Sequence, residues 1–198
     1  MTSTETDKSL RRAVLMVGAA NLAYFFVELL VARKIGSVSL FADSIDFFED
    51  AAVNVLIFVA LAWSARNRAR AGMVMAGILL LPALSLLWTA WQKFQHPMPP
   101  EPWLLSATGL GALVVNVSCA FLLTKFRDHK GSLTRAAFLS ARNDAFANVA
   151  IMAAGALTLI WPTAWPDLVV GIGIAIMNAD AAREIWQAAH EERKAAKA

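Results

Sequence analysis

Six blocks of mostly apolar residues take up almost all of this chain, each about as long as a bilayer crossing requires. They run over about 13–32, 38–63, 71–92, 103–126, 133–160 and 164–188. A helix needs roughly 20 apolar residues to cross a hydrocarbon core about 30 Å thick. Of the 198 residues, 58% are apolar and 17% charged, against about 25% charged in an ordinary soluble domain. The pattern predicts an all-α, polytopic membrane protein of six transmembrane helices. It leaves no soluble segment long enough to fold by itself.

Lys and Arg predict the orientation, because they are held preferentially on the cytoplasmic side. Fourteen of the 18 fall in one set of loops and tails, from Lys8, Arg11 and Arg12 to Arg193, Lys194 and Lys197. The opposite set holds Arg33, Lys34 and Lys93, and Arg142 lies inside the fifth block. Both termini are therefore expected in the cytoplasm, in keeping with an even number of spans. Ile35-Gly36-Ser37, the Pro97–Pro100 segment and Trp161-Pro162 provide turns at the outer ends, and Pro82 is expected to kink span three. Trp88, Trp91, Trp103, Trp161 and Trp165 cluster at those ends, as interfacial aromatics do. The first block is followed by no small-residue cleavage site and reads as a retained span. The single Cys119 excludes an internal disulfide framework. The net charge of +3 comes from the membrane flanks and forms no basic stripe, so no nucleic-acid partner is expected.

Charged side chains at mid-membrane are costly, about 2.5–3.5 kcal/mol each on insertion scales, and default to a functional reading. Span two carries Asp43, Asp46, Glu49 and Asp50 within eight residues. Asp43, Asp46, Asp50 and Asn54 share one helix face, with Glu49 beside it. Span five places Ser140, Asp144 and Asn148 on one face in the same way. Counting helical rise, Asp46 and Asp50 lie roughly 12 and 18 Å from one surface, and Asp144 roughly 16 Å from the other. The three carboxylates are thus expected to meet near the midplane, where transporters place their sites. They cannot all be ionised there without a counter-charge, so the empty site is expected to hold protons. A divalent cation wanting about four ligands displaces protons as it binds. Metal in and protons out at one site is the core of an antiporter.

The residues from Asn21 to Asn54, with Glu28 in span one, the run Gly36-Ser37-Val38-Ser39-Leu40-Phe41-Ala42-Asp43 and then Asp46-x-x-x-Asp50, resemble the cation diffusion facilitator family. Asp144 followed by Asn148 extends the resemblance to span five, and it covers all six spans. The resemblance implies a secondary transporter and not an enzyme, exporting a divalent metal from the cytosol in exchange for protons. It also implies a homodimer in the bacterial inner membrane, with a site built by spans two and five. Carried over by position, the metal ligands are Asp46, Asp50, Asp144 and Ser140. Asp43, Glu49, Asn143 and Glu28 are candidates for the metal or proton pathway. Zinc is the first expectation for the metal, with cadmium, cobalt, manganese and iron(II) open; no prosthetic group is expected.

Two features depart from the family pattern. The family usually has His where Ser140 stands, which makes this a harder site that Asn143 or Glu49 is placed to complete. It also commonly carries a soluble metal-binding domain after span six. Here 1–12 reads as a cytoplasmic tail, 13–188 as the six-helix domain and 189–198 as a short cytoplasmic tail. Other polar residues have plainer readings. Asp43 either lines the outer path or caps its helix. Arg142 pairs with Glu49 or Asp180, and Asn178 and Asp180 are packing contacts. Asp128-His129 and His190-Glu191-Glu192 are solvated. Gly109-x-Gly111 and Gly171-x-Gly173 suit close helix packing. Two rival functions remain: a proton-coupled carrier of a small organic cation, and a non-transporting metal sensor or scaffold.

Overall fold

The computed structural model of the chain describes residues 3–60, 84–124 and 131–177. Among these there are six helices and no strand: α1 (Ser3–Ile35), α2 (Val38–Ala60), α3 (described over 84–95), α4 (Pro102–Thr124), α5 (Gly131–Ile160) and α6 (Trp165–Met177). Three stretches are long and apolar enough to cross a membrane by themselves: Ser9–Ile35, Pro102–Thr124 and Asn143–Ile160. Helix α2 has 23 residues, but its four carboxylates set it apart. Pro82, Asp128-His129, Asn178, Asp180 and the His190 tail lie outside the described residues.

Helix ends follow the local chemistry. Arg33 and Lys34 sit in the last turn of α1, where cations oppose the negative end of the helix dipole. Gly36 then takes φ +63°, and the Ser37 amide donates to the Ala32 carbonyl at 3.0 Å, a glycine-type helix stop. Ser37 next caps α2, its Oγ accepting from the Leu40 amide at 3.1 Å. That corrects the capping role considered for Asp43, which lies in the interior of a helix already started at Val38. Glu101 caps α4, accepting from the Trp103 and Leu104 amides at 3.1 and 2.6 Å, and Pro102 follows where its missing N–H costs nothing. Helix α3 continues through Lys93 to residue 95, past the apolar block that announced it.

Helices α1, α2, α4 and α5 pack as a bundle, α1 against α2 and α4, and α5 against α4 and α2. A buried apolar cluster joins α1, α2, α4 and α5 to Leu86 of α3 and to Leu168 and Ile174 of α6. Large apolar side chains also face outward, and polar ones are enclosed beside the apolar cluster. On α1, Leu22, Phe26 and Leu30 face outward, while Asn21 and Glu28 are fully buried. The five tryptophans Trp88, Trp91, Trp103, Trp161 and Trp165 are all exposed. This arrangement suits a lipid solvent, in which apolar surface needs no burial and polar groups must be satisfied inside.

Glycines set two close approaches. A Cβ on Gly109 would stand 3.0 Å from Ile151 of α5, and one on Gly171 would stand 2.8 Å from the first turn of α2. Among the described residues, the first glycine of the α6 pair makes a close approach, and Gly173 meets no described atom within 4 Å.

Candidate functional site

The polar stripe of α2 faces the bundle and is graded along its length. Every residue from Ser37 to Ile45 is buried, Asp43 completely, whereas Asp46, Phe48, Glu49 and Asp50 are partly exposed. The stripe is thus most enclosed beside the Gly36 turn and less so beyond Ile45.

Its partners come from α1 and α5. Asn21 donates through Nδ2 to Asp50 Oδ2 at 3.4 Å, and its Oδ1 accepts from the Cys119 thiol at 3.8 Å. Asn148 of α5 donates to Asp43 Oδ1 at 3.3 Å. Asp46 lies within electrostatic reach of Asp144 as well as of Asp43, Glu49 and Asp50. Glu28, from α1, lies within reach of Asp43 and Asp46. The expected acids of α2 and α5 therefore face one another. No three His, Cys, Asp or Glu side chains among the described residues are gathered closely enough to hold one ion. Asn143 is exposed at the edge of the group, and the side chains of Ser140 and Arg142 lie outside the described residues.

The two D-x-x-x-N motifs share a local device. Asn54 donates to the Asp50 carbonyl at 2.8 Å, and Asn148 donates to the Asp144 carbonyl at 2.6 Å. Each asparagine spends its N–H on the previous turn of its own helix and turns its Oδ1 inward. Both of those oxygens are buried without a hydrogen-bond partner. Both oxygens of Glu28 and Oδ2 of Asp43 are buried with no N–H or hydroxyl donor, and these two carboxyl groups stand within hydrogen-bonding reach of each other, so that a proton is needed to join them. All five orphans are acceptors. A buried acceptor without a donor costs about 1–3 kcal/mol. Five together make an interior rich in oxygen and short of positive charge, which protons or a cation would satisfy.

A second polar assembly, at the Gly36 end, escaped the sequence reading. Asp167 is fully buried in the first turn of α6 and binds the start of α2. Its Oδ2 accepts from the Val38 amide at 2.8 Å. Its Oδ1 accepts from the Ser39 amide at 3.1 Å and from the hydroxyls of Ser37 and Ser39, each at 2.6 Å. Lys93 of α3 stands 3.8 Å from the same carboxylate and donates to the Gly36 carbonyl at 2.5 Å. The available signal was an acid directly after Pro166 at the head of an apolar block, beside a lysine at the tail of another.

The family model for the cation efflux transmembrane domain matches residues 14–189. Among curated proteins, the chain is similar to zinc transporter ZitB of Escherichia coli (strain K12), 25% identical over 185 residues, which cover 86% of this chain and 58% of that protein. It is similar also to zinc transporter ZitB of Yersinia pseudotuberculosis serotype I (strain IP32953), 26% identical over 196 residues, covering 91% of this chain and 62% of that protein. The chain spans about three fifths of the length of these relatives.

Proposed function

This chain belongs to the cation efflux family, and from that premise we propose that it carries a divalent metal cation, zinc first, out of the cytoplasm in exchange for protons. It is an integral membrane protein of the bacterial inner membrane. The observation that carries the reading is the set of five buried, donor-less oxygens lying among the facing carboxylates of α2 and α5. Such an interior lacks one component, a positive charge.

In the proposed cycle the chain makes six crossings, with both termini in the cytoplasm and the Gly36 turn outside. The ion enters from the cytoplasmic side, where Asp46, Glu49 and Asp50 are partly exposed. Asp46, Asp50 and Asp144 bind it, drawing together as the cation cancels their repulsion, and Ser140 or a water completes the shell. Asn21 holds Asp50 in orientation, as outer-shell groups do for metal ligands. The protons that the metal displaces leave to the cytoplasm by the side on which it entered, and Glu28 and Asp43, deeper toward the outer end, pass protons from outside to the site. Protons rebinding from outside release the metal there and reset the carboxylates. A homodimer in the membrane completes the reading.

Zinc flux into proteoliposomes under an imposed pH gradient tests it, comparing the wild type with Asp50→Ala and Asp144→Ala. Flux that follows the gradient and vanishes in both variants, with each still monodisperse in detergent, supports the reading. Normal transport by the variants overturns the shared site. Absence of metal flux in the wild type, with transport of an organic cation instead, overturns the substrate.

A further inference from the structure

We infer that Asp167 and Lys93 form a clasp that keeps the Gly36 end of the bundle closed, and that Asp167 is a positioning residue for transport through its hold on α2. The inference rests on the proposed function only in taking α2 as the helix that carries the transported ion.

The clasp joins three helices at one point. Asp167 of α6 receives four hydrogen bonds from the first residues of α2 and its cap, and Lys93 of α3 bridges that carboxylate to the α1–α2 turn. Amides in the first turn of a helix have no partner within it. In α2 the acceptor for two of them comes from another helix, so its outer end is fixed to α6. Both charges are enclosed, with Asp167 at 0% and Lys93 at 8% exposure. Breaking such a pair by removing one member strands the other charge, which makes the assembly an all-or-none contact.

Its position gives it a function. The clasp lies roughly 12 Å from Asp46 along α2 at the helical rise. All of α2 between them is buried, while Asp46, Phe48, Glu49 and Asp50 are partly open. Gly171 lies one turn beyond Asp167 on the same face of α6 and brings that helix against Val38 and Ser39. Outward opening of the path therefore requires α6 and α3 to leave the head of α2, and the Asp167 bonds are what they must release. The clasp touches no carboxylate of the candidate metal site.

Site-directed labelling tests this without depending on transport. Ala42, buried between the clasp and Asp46, is replaced by cysteine in a Cys119→Ala background. A membrane-impermeant maleimide is then applied to reconstituted protein from each face in turn. The expected result is slow labelling from the Gly36 face in the parent and labelling about tenfold faster after Lys93→Met, a shift of about 1.4 kcal/mol between closed and open forms. Lys93→Arg, which keeps a cation beside Asp167, is expected to restore slow labelling. In zinc flux, Asp167→Asn should lower the maximal rate at least about fivefold while KM stays within about twofold, because no ligand is touched. Unchanged labelling in a monodisperse Lys93→Met protein overturns the clasp, as does an Asp167→Asn protein that transports at the wild-type rate. Should Lys93→Met not yield folded protein, Lys93→Gln takes its place under the same criteria. A parent that moves no zinc but whose labelling responds as stated leaves the clasp standing and removes the transport reading.

Discussion

Gly171 and Gly173 provide a matched pair on one helix, two residues apart, whose replacement by alanine should have opposite effects. Alanine is favoured over glycine in a helix interior by roughly 0.5–1 kcal/mol. At position 173 the new methyl meets no described atom within 4 Å, so this gain should be the whole effect. At position 171 it would stand 2.8 Å from the Ser39 amide nitrogen, the Val38 carbonyl carbon and Val38 Cγ1. Two of these are backbone atoms, of which the Ser39 nitrogen is bonded to Asp167, so relief requires α6 to move away from α2. Overpacking of this kind costs roughly 1–3 kcal/mol. The same movement stretches the 2.8 and 3.1 Å bonds from Val38 and Ser39 to Asp167, adding to the loss. The propensity gain is common to both positions and cancels, so Gly173→Ala should exceed Gly171→Ala in stability by roughly 1–3 kcal/mol. At about 2–4 °C per kcal/mol for a chain of this length, that separates their Tm values by roughly 2–12 °C. Tryptophan fluorescence during heating of the detergent-solubilised proteins reads it. Equal Tm values, or a more stable Gly171→Ala, would refute the close approach of α6 to the head of α2.

Asn21→Ala removes the donor to Asp50 and should raise the KM for zinc about tenfold, the lower range for loss of an outer-shell partner, with little change in Tm. Tyr24→Phe removes the 2.7 Å hydrogen bond from the phenol to the Thr108 carbonyl, which ties α1 to α4. Its expected cost is about 1 kcal/mol, seen as a Tm lower by roughly 2–4 °C with zinc transport retained.

The features that were legible in the sequence are those that repeat along one helix. The spacing of Asp43, Asp46, Asp50 and Asn54 announced the inward face of α2, because an apolar helix in lipid has no other reason to keep its polar residues on one side. The turn at Gly36 was equally plain, since few other residues take a positive φ there at so little cost. What escaped depends on which helix lies beside which. Asp167 drew no reading from the sequence, because only the crossing of α6 over Val38 brings it to α2. Lys93 looked like a loop charge for the same reason. The inward aim of the Asn54 and Asn148 oxygens also required coordinates, because an asparagine can spend its Nδ2 on a neighbouring helix instead of on the carbonyl of its own preceding turn.

The stop at Gly36 has a mechanical consequence. Only Gly36 and Ser37 separate α1 from α2, and Ser37 is bonded both backward to Ala32 and forward to Leu40. A joint so short has no slack, so the two helices travel as one lever. Asn21 and Asp50 ride on that lever together and keep their separation through any stroke. Asp144 rides on α5, which no such joint ties to α2. Of the three acids expected to grip the ion, Asp144 is the one whose distance the stroke can change, and the grip should open there first.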